Sequence, residues 1–152
     1  MPLVDRVRRL VNRCNATQVW LVSASEFRDA AALERMRVQR NDSSLTVIVF
    51  QPTRHRKRAL AVLENQLRER LSAIDTAGHT SDGRVGVLLP DYSLEDSQSL
   101  VKSVIECCET EGIRLQYDLI HYPDEPIDWL FGNTKRRTSK STVGNSAGTV
   151  SP

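Results

Sequence analysis

The sequence predicts an α+β fold of ferredoxin-like type: a βαββαβ antiparallel sheet with helices on one face, preceded by two helices. Three observations carry that expectation. Leu45–Phe50 (LTVIVF) is apolar, β-branched and bounded by turn residues, as befits a central strand buried on both faces. Arg54–Ile74 repeats Leu60, Leu63, Leu67, Leu71 and Ile74 at helical spacing. Two short apolar stretches flank Ser81-Asp82-Gly83, and Asp-Gly favours the tight turn of a hairpin.

The elements follow in order. Leu3, Val4, Val7, Leu10, Val11 and Cys14 recur with helical period, so Pro2–Asn15 is expected as an amphipathic helix with Pro2 in its first turn. Gln18–Val22 is a short apolar piece, either a strand or an extended connector. Ser25 is placed to cap the next helix, with Glu26 and Asp29 where acids match the positive end of the helix dipole. That helix is expected to run to about Arg40, bury Phe27, Ala31, Met36 and Val38, and stop at Asn41-Asp42-Ser43-Ser44.

After the strand Leu45–Phe50, Gln51-Pro52-Thr53 connects to the helix Arg54–Ile74. Thr76–Thr80 and Arg84–Pro90 form the hairpin strands. Ser93 caps the following helix, and Asp96 stands where a capping-box carboxylate would reach back. Leu100, Val104 and Cys107 or Cys108 form its inner face, and Gly112 stops it. Ile113–Tyr122 is the last strand, ended by Pro123, after which Ile127, Trp129, Leu130 and Phe131 dock as a short turn. Beyond Gly132 the chain is too polar to bury itself. The expected organisation is 1–24, an N-terminal helix and connector; 25–131, the folded domain; and 132–152, a disordered basic tail or linker.

Composition narrows the function classes. The 152 residues suit one domain, and their net charge of +2 conceals a segregation. Met1–Thr76 carries +6, Ala77–Asn133 carries −8, and the tail carries +4. Seventeen of the 21 basic residues are arginine, the side chain suited to bidentate contact with phosphate or carboxylate. No apolar run approaches the roughly 20 residues of a membrane span, and the arginine-studded N-terminus does not read as a secretory signal. The three cysteines fit a reducing compartment, which points to the cytoplasm.

Little chemistry is visible. His55, His79 and His121 have no partners at metal-ligand spacing, and Cys107-Cys108 lacks a third ligand. There is no phosphate-binding glycine loop or nucleophile elbow. Asp91, Glu95 and Asp96 cluster at a helix start, where the dipole alone accounts for them. No catalytic, metal or cofactor-binding residue is therefore assigned. Arg54-His55-Arg56-Lys57-Arg58 is the unusual feature, because four cations at a helix start oppose its dipole. Two readings stay open: a solvated loop with the helix starting a turn later, or a site for a phosphate or acidic partner.

Ser25–Asp124 resembles the GGDEF domain of diguanylate cyclases. Ile74–Pro90 (IDTAGHTSDGRVGVLLP) follows that family's succession of strand, tight signature hairpin and strand ending in Leu-Leu-Pro. Ser81-Asp82-Gly83-Arg84-Val85 takes the place of the Gly-Gly-Asp-Glu-Phe signature. The chain is more similar still to degenerate GGDEF-like domains found beside bacterial polysaccharide-building sugar transferases. Those carry Glu-Arg-x-Arg-x-x-Arg before the first strand, here Glu34-Arg35-Met36-Arg37-Val38-Gln39-Arg40. They also share an Asp-Gly-Arg-x-Gly-Val-Leu-Leu-Pro strand, here Asp82–Pro90, and a closing Tyr122-Pro123.

The resemblance implies a nucleotide-cyclase-like fold, but the departures bear on activity. A cyclase needs carboxylates to hold two hard cations over a triphosphate. One such position reads Phe50-Gln51-Pro52, and Gly83 and Arg84 replace the acids of the hairpin. The inhibitory Arg-x-x-Asp site reads Ser72-Ala73-Ile74-Asp75, without its arginine. The expectation is a catalytically inactive regulatory or scaffolding domain, free-standing or an excised piece, that serves a membrane sugar transferase in exopolysaccharide biosynthesis. The second reading is a metal-independent nucleotide or phosphate sensor using Arg54, Arg56, Lys57, Arg58 and Arg84. Candidate contact surfaces are Arg35–Arg40, Arg54–Arg58 and Ser81–Arg84. The resemblance also makes Pro2–Asn15 a candidate for homodimer formation, the alternative being that this helix packs on its own domain. Nucleic-acid binding is not, since the strand aromatics of RNA-binding modules of this fold are absent.

Overall fold

The computed structural model describes residues 20–131. The expected helix Pro2–Asn15, Cys14 and the tail lie outside the described residues, as does part of Gln18–Val22. Three helices, α1 (Ala24–Asn41), α2 (Arg56–Arg70) and α3 (Leu94–Thr110), alternate with β1 (Leu45–Pro52), β2 (Thr76–His79), β3 (Val85–Pro90) and β4 (Leu115–Tyr122). A 3-10 turn, Asp128–Phe131, closes the domain. From Leu45 onward the order is βαββαβ, as the sequence predicts. The sheet order is β2-β3-β1-β4 and all neighbouring strands are antiparallel.

β1 sits at the centre because its residues require burial on both sides. Leu45 through Phe50 are all 1% exposed or less. Ile48 and Phe50 enter one core with Leu63 and Leu67 of α2 and Val101, Val104 and Cys108 of α3. Leu45, Val47 and Val49 enter a second core with Phe27, Ala31 and Val38 of α1, together with Ile127 and Leu130. The two crossover helices thus share one face as expected, while α1 and the terminal turn cover the other. At Gly86 the sheet has no side chain, and the Phe27 ring lies directly on its backbone.

Several boundaries differ from the sequence expectation. Ser23, not Ser25, caps α1: its hydroxyl accepts from the Glu26 amide at 3.1 Å, and the Glu26 carboxylate accepts from the Ser23 amide at 3.0 Å. At α3 the Ser93 hydroxyl accepts from the Asp96 amide at 3.0 Å. On α1 the buried stripe is Phe27, Ala31, Glu34 and Val38, so Met36 faces out and Glu34 faces in. Glu34 tolerates that position because Arg37 donates to it at 2.7 Å.

α2 is shorter than its leucine pattern suggests. The Leu71 amide still donates to the Leu67 carbonyl, but Leu71 itself is extended, with ψ 146°. The Asp75 carboxylate then accepts from the Ser72 amide at 2.8 Å and its hydroxyl at 2.9 Å, which turns the chain into β2. Leu71 remains buried without being helical. Val22 is extended and bridges to Gly78 in parallel, outside the named strands.

Candidate functional site

The signature hairpin is built on Thr80. Its hydroxyl donates to Asp82 Oδ1 at 2.5 Å and accepts from the Arg84 amide at 2.9 Å. Its carbonyl accepts from the Gly83 amide at 3.0 Å. Gly83 adopts φ 85°, a left-handed conformation that costs glycine least. Ser81 and Asp82 are exposed at the tip, whereas Arg84 and Val85 are buried.

Arg84 turns into the protein. Its Nε and Nη2 reach Asp82 Oδ2 at 3.0 and 2.8 Å, and Nη1 reaches Asp118 of β4 at 3.3 Å. Its Cζ lies 5.7 Å from the centroid of Trp129. The side chain is only 6% exposed, so its charge is balanced by two carboxylates rather than offered to solvent. Arg84, expected as an anion ligand with Arg54, Arg56, Lys57 and Arg58, is thus buried and paired within the fold, whereas those four are exposed. The same geometry answers whether divalent cations fit here. The Asp82 and Asp118 carboxylates already bind a guanidinium, and no group of three or more His, Cys, Asp or Glu among the described residues is placed to hold a metal ion.

The basic run divides. His55 is the N-cap of α2 with φ 50°, makes no side-chain cap, and is followed by a first turn without acids. Arg54, Arg56, Lys57 and Arg58 are all exposed at their side chains. Arg56 nevertheless donates to the Gly83 carbonyl and so bridges the start of α2 to the hairpin. Arg58 donates to the Glu111 carbonyl at 2.6 Å, at the end of α3. A cation there is favourable, because the last carbonyls of a helix are its negative pole. Cations beginning α2 cost about 0.3–1 kcal/mol each. Burial of Leu63 and Leu67, worth roughly 1.5–3 kcal/mol each, outweighs that cost and keeps the helix.

Two of α1's four arginines, Arg35 and Arg37, are also occupied within the fold. Arg37 donates to Glu34, to Ser43 at 2.8 Å, to the Ser44 carbonyl at 3.1 Å and to Asp91 at 3.2 Å, joining α1 to the ends of β1 and β3. Arg35 pairs with Asp128 at 3.1 Å and lies 4.2 Å from the centroid of Phe131. Of the contact surface expected over Arg35–Arg40, Gln39 and Arg40 are exposed together with Met36.

Asp75, which the resemblance aligns with the acid of the Arg-x-x-Asp site, also points inward and is 5% exposed. Besides Ser72 it accepts from the Tyr92 hydroxyl at 2.9 Å. Burial, with the Asp75 hydrogen bond and charge added, pushes that phenol up to about 12. Cys108 is buried and its thiol is raised to about 11, chiefly by burial and then by Cys107. His121 meets the Thr46 hydroxyl at 3.1 Å across β1 and β4.

Two residues of this site escaped the sequence reading. Asp118 was signalled only as a lone acid on the inward side of β4, opposite Val49. Trp129 was expected to dock, but not beside the signature arginine.

Comparison with known proteins places the fold. No family model matches the chain, and no curated protein does. Solved structures do. The diguanylate cyclase SiaD from Pseudomonas aeruginosa, in complex with its activator SiaC, superposes with a TM-score of 0.65 at 13% identity, over 86% of this chain and 59% of that one. A DGC protein from Thermotoga maritima gives 0.63 at 16% identity, over 69% and 84%. PelD from Pseudomonas aeruginosa, residues 158 to its C-terminus in complex with c-di-GMP, gives 0.52 at 16% identity, over 77% and 44%. The chain therefore has the α+β fold of GGDEF, nucleotide-cyclase-like domains. Among the described residues, no helix is long and apolar enough to cross a membrane.

Proposed function

We propose that the chain is a GGDEF-like module that acts by recognition instead of cyclisation, regulating or scaffolding a sugar transferase in exopolysaccharide biosynthesis. The observation behind the first half is Arg84. Where an active hairpin sets a metal-binding acid, this chain sets a buried guanidinium whose partners are Asp82 and Asp118. The transferase rests on the likeness of Glu34–Arg40, Asp82–Pro90 and Tyr122-Pro123 to domains that accompany such enzymes. SiaD, solved with its activator SiaC, is a precedent for a protein partner on this fold. The test has two arms. The chain incubated with GTP and Mg²⁺ or Mn²⁺ is expected to yield no cyclic di-GMP, and product formation would overturn the reading. Co-expressed with a membrane sugar transferase of exopolysaccharide assembly, it is expected to co-purify and change the transferase rate; the absence of both effects overturns the scaffolding role.

A second reading is favoured by one observation, the uncapped start of α2 with Arg54, Arg56 and Lys57 exposed around it. Here the module senses a nucleotide or phosphate without metal. PelD in complex with c-di-GMP makes that dinucleotide the first ligand to try. A thermal-shift series with cyclic di-GMP, GTP, sugar nucleotides and polyphosphate is expected to stabilise the chain with at least one of them, and less so after Arg54→Ala/Lys57→Ala. No shift with any of them removes this reading.

A further inference from the structure

The outer face of α1 carries a surface that the site above does not use. Inward-facing Phe27, Ala31, Glu34 and Val38 recur at spacings of four, three and four. Asp29, Leu33, Met36 and Arg40 repeat the same spacing two residues later, about 200° around the helix. All four are exposed. Leu33 is 66% and Met36 51% exposed, the two most open large hydrophobic side chains among the described residues. Asp29 and Arg40 have no ion-pair partner among the described residues; of α1's other arginines, Arg35 and Arg37 are paired and Arg28 is exposed.

This stripe is complementary to itself in one direction only. Set antiparallel against a copy, Leu33 opposes the copy's Met36 and Asp29 opposes the copy's Arg40, each contact occurring twice about a two-fold axis. Set parallel, Asp29 would oppose Asp29 and Arg40 would oppose Arg40. The four-three-four spacing is also that of a seam between packed helices. We propose that α1 is a homodimerisation surface, with Leu33 and Met36 at the centre of an antiparallel two-fold contact and Asp29–Arg40 pairs at each end. An isologous contact of this kind is the commonest closed symmetry. A single helix face is a small interface, so the pair is a weak one that forms with rising concentration.

Sedimentation equilibrium of the full chain, from micromolar to submillimolar concentration, tests this. The mean mass is expected to rise from 17.1 kDa toward twice that value. Leu33→Glu/Met36→Glu is expected to abolish the rise while leaving the far-ultraviolet circular dichroism unchanged. Asp29→Arg and Arg40→Asp each create like-charge pairs and are expected to weaken association about tenfold, and more at low salt. The double variant Asp29→Arg/Arg40→Asp is expected to restore it. A chain that stays monomeric overturns the proposal, as does a dimer indifferent to Leu33→Glu/Met36→Glu. So does a dimer lost in Val7→Glu/Leu10→Glu but kept when α1 is altered, which would assign the contact to the N-terminal segment. Failure of the double reversal to restore what each single reversal loses overturns the antiparallel register.

Discussion

Arg84 Nη1 donates to the Asp118 carboxylate at 3.3 Å across the central strand, because β3 and β4 lie on either side of β1. The ion pair therefore joins the hairpin, at the start of β3, to a strand that is not β3's neighbour in the sheet. It also anchors the signature hairpin to the face covered by α1 and the terminal turn, through Trp129.

Removing this guanidinium breaks a largely buried ion pair with Asp118. Breaking a buried pair from one side typically costs 3–5 kcal/mol, and here Asp82 is one-third exposed, so Arg84→Met is expected to cost about 3 kcal/mol. Installing the signature acids by Gly83→Asp/Arg84→Glu is expected to cost more. It forces an ordinary residue to φ 85° and places two further carboxylates beside Asp82 and Asp118. Urea denaturation measures both. Stability within about 1 kcal/mol of the parent for Arg84→Met would show that the pair is not a structural tie.

Phe27 lies on the backbone of Gly86, where an added Cβ would meet ring atom Cζ and stand 2.8 Å from Cε2. Gly86→Ala is expected to cost about 1–3 kcal/mol through overpacking. In a Phe27→Leu background the same substitution is expected to cost less, because the ring is gone. A double-mutant cycle showing simple additivity would contradict the contact.

Stability is expected to fall at both ends of the pH scale. The Ser23 amide and hydroxyl hold the Glu26 carboxyl below its usual range. Its contribution is present above the ordinary value and disappears as the pH falls through the lowered folded one, so Glu26→Gln flattens the acid limb. Tyr92, raised to about 12, and Cys108, raised to about 11, behave in the opposite sense. Their contributions are complete below the ordinary values of about 10 and 8.5 and are lost as the pH climbs through the raised ones. Circular dichroism at fixed urea between neutral and strongly alkaline pH is expected to show a steeper loss for the parent than for Tyr92→Phe/Cys108→Ala. Equal slopes would rule out these two groups as the cause.

What could be read from the sequence was what local spacing encodes. LTVIVF, the Asp-Gly hairpin and the period of α3 declare themselves within a few residues, and together they determine the βαββαβ order. The misreadings have physical causes as well. Leu71 keeps helical spacing after the helix has ended, because the Ser72–Asp75 turn captures the backbone while the side chain stays in the core. Met36 looks like a better core residue than Glu34 until Arg37 supplies a partner for the acid. At the hairpin, the absence of acids was plain in Gly83 and Arg84. The destination of Arg84 was not, since Asp118 lies 34 residues further on.

The central position of β1 also has a consequence for the nascent chain. Its Thr46 meets His121, 75 residues later. At synthesis rates of about 5–20 residues per second, an uncharged apolar strand waits roughly 4–15 seconds for its last neighbour. Such a segment is prone to stick to other copies unless charges flank it. Arg35, Arg37 and Arg40 on one side and Arg54–Arg58 on the other supply that flank. Until β3 and β4 have been made, like-charge repulsion between these flanks is expected to oppose the pairing of β1 segments from neighbouring chains.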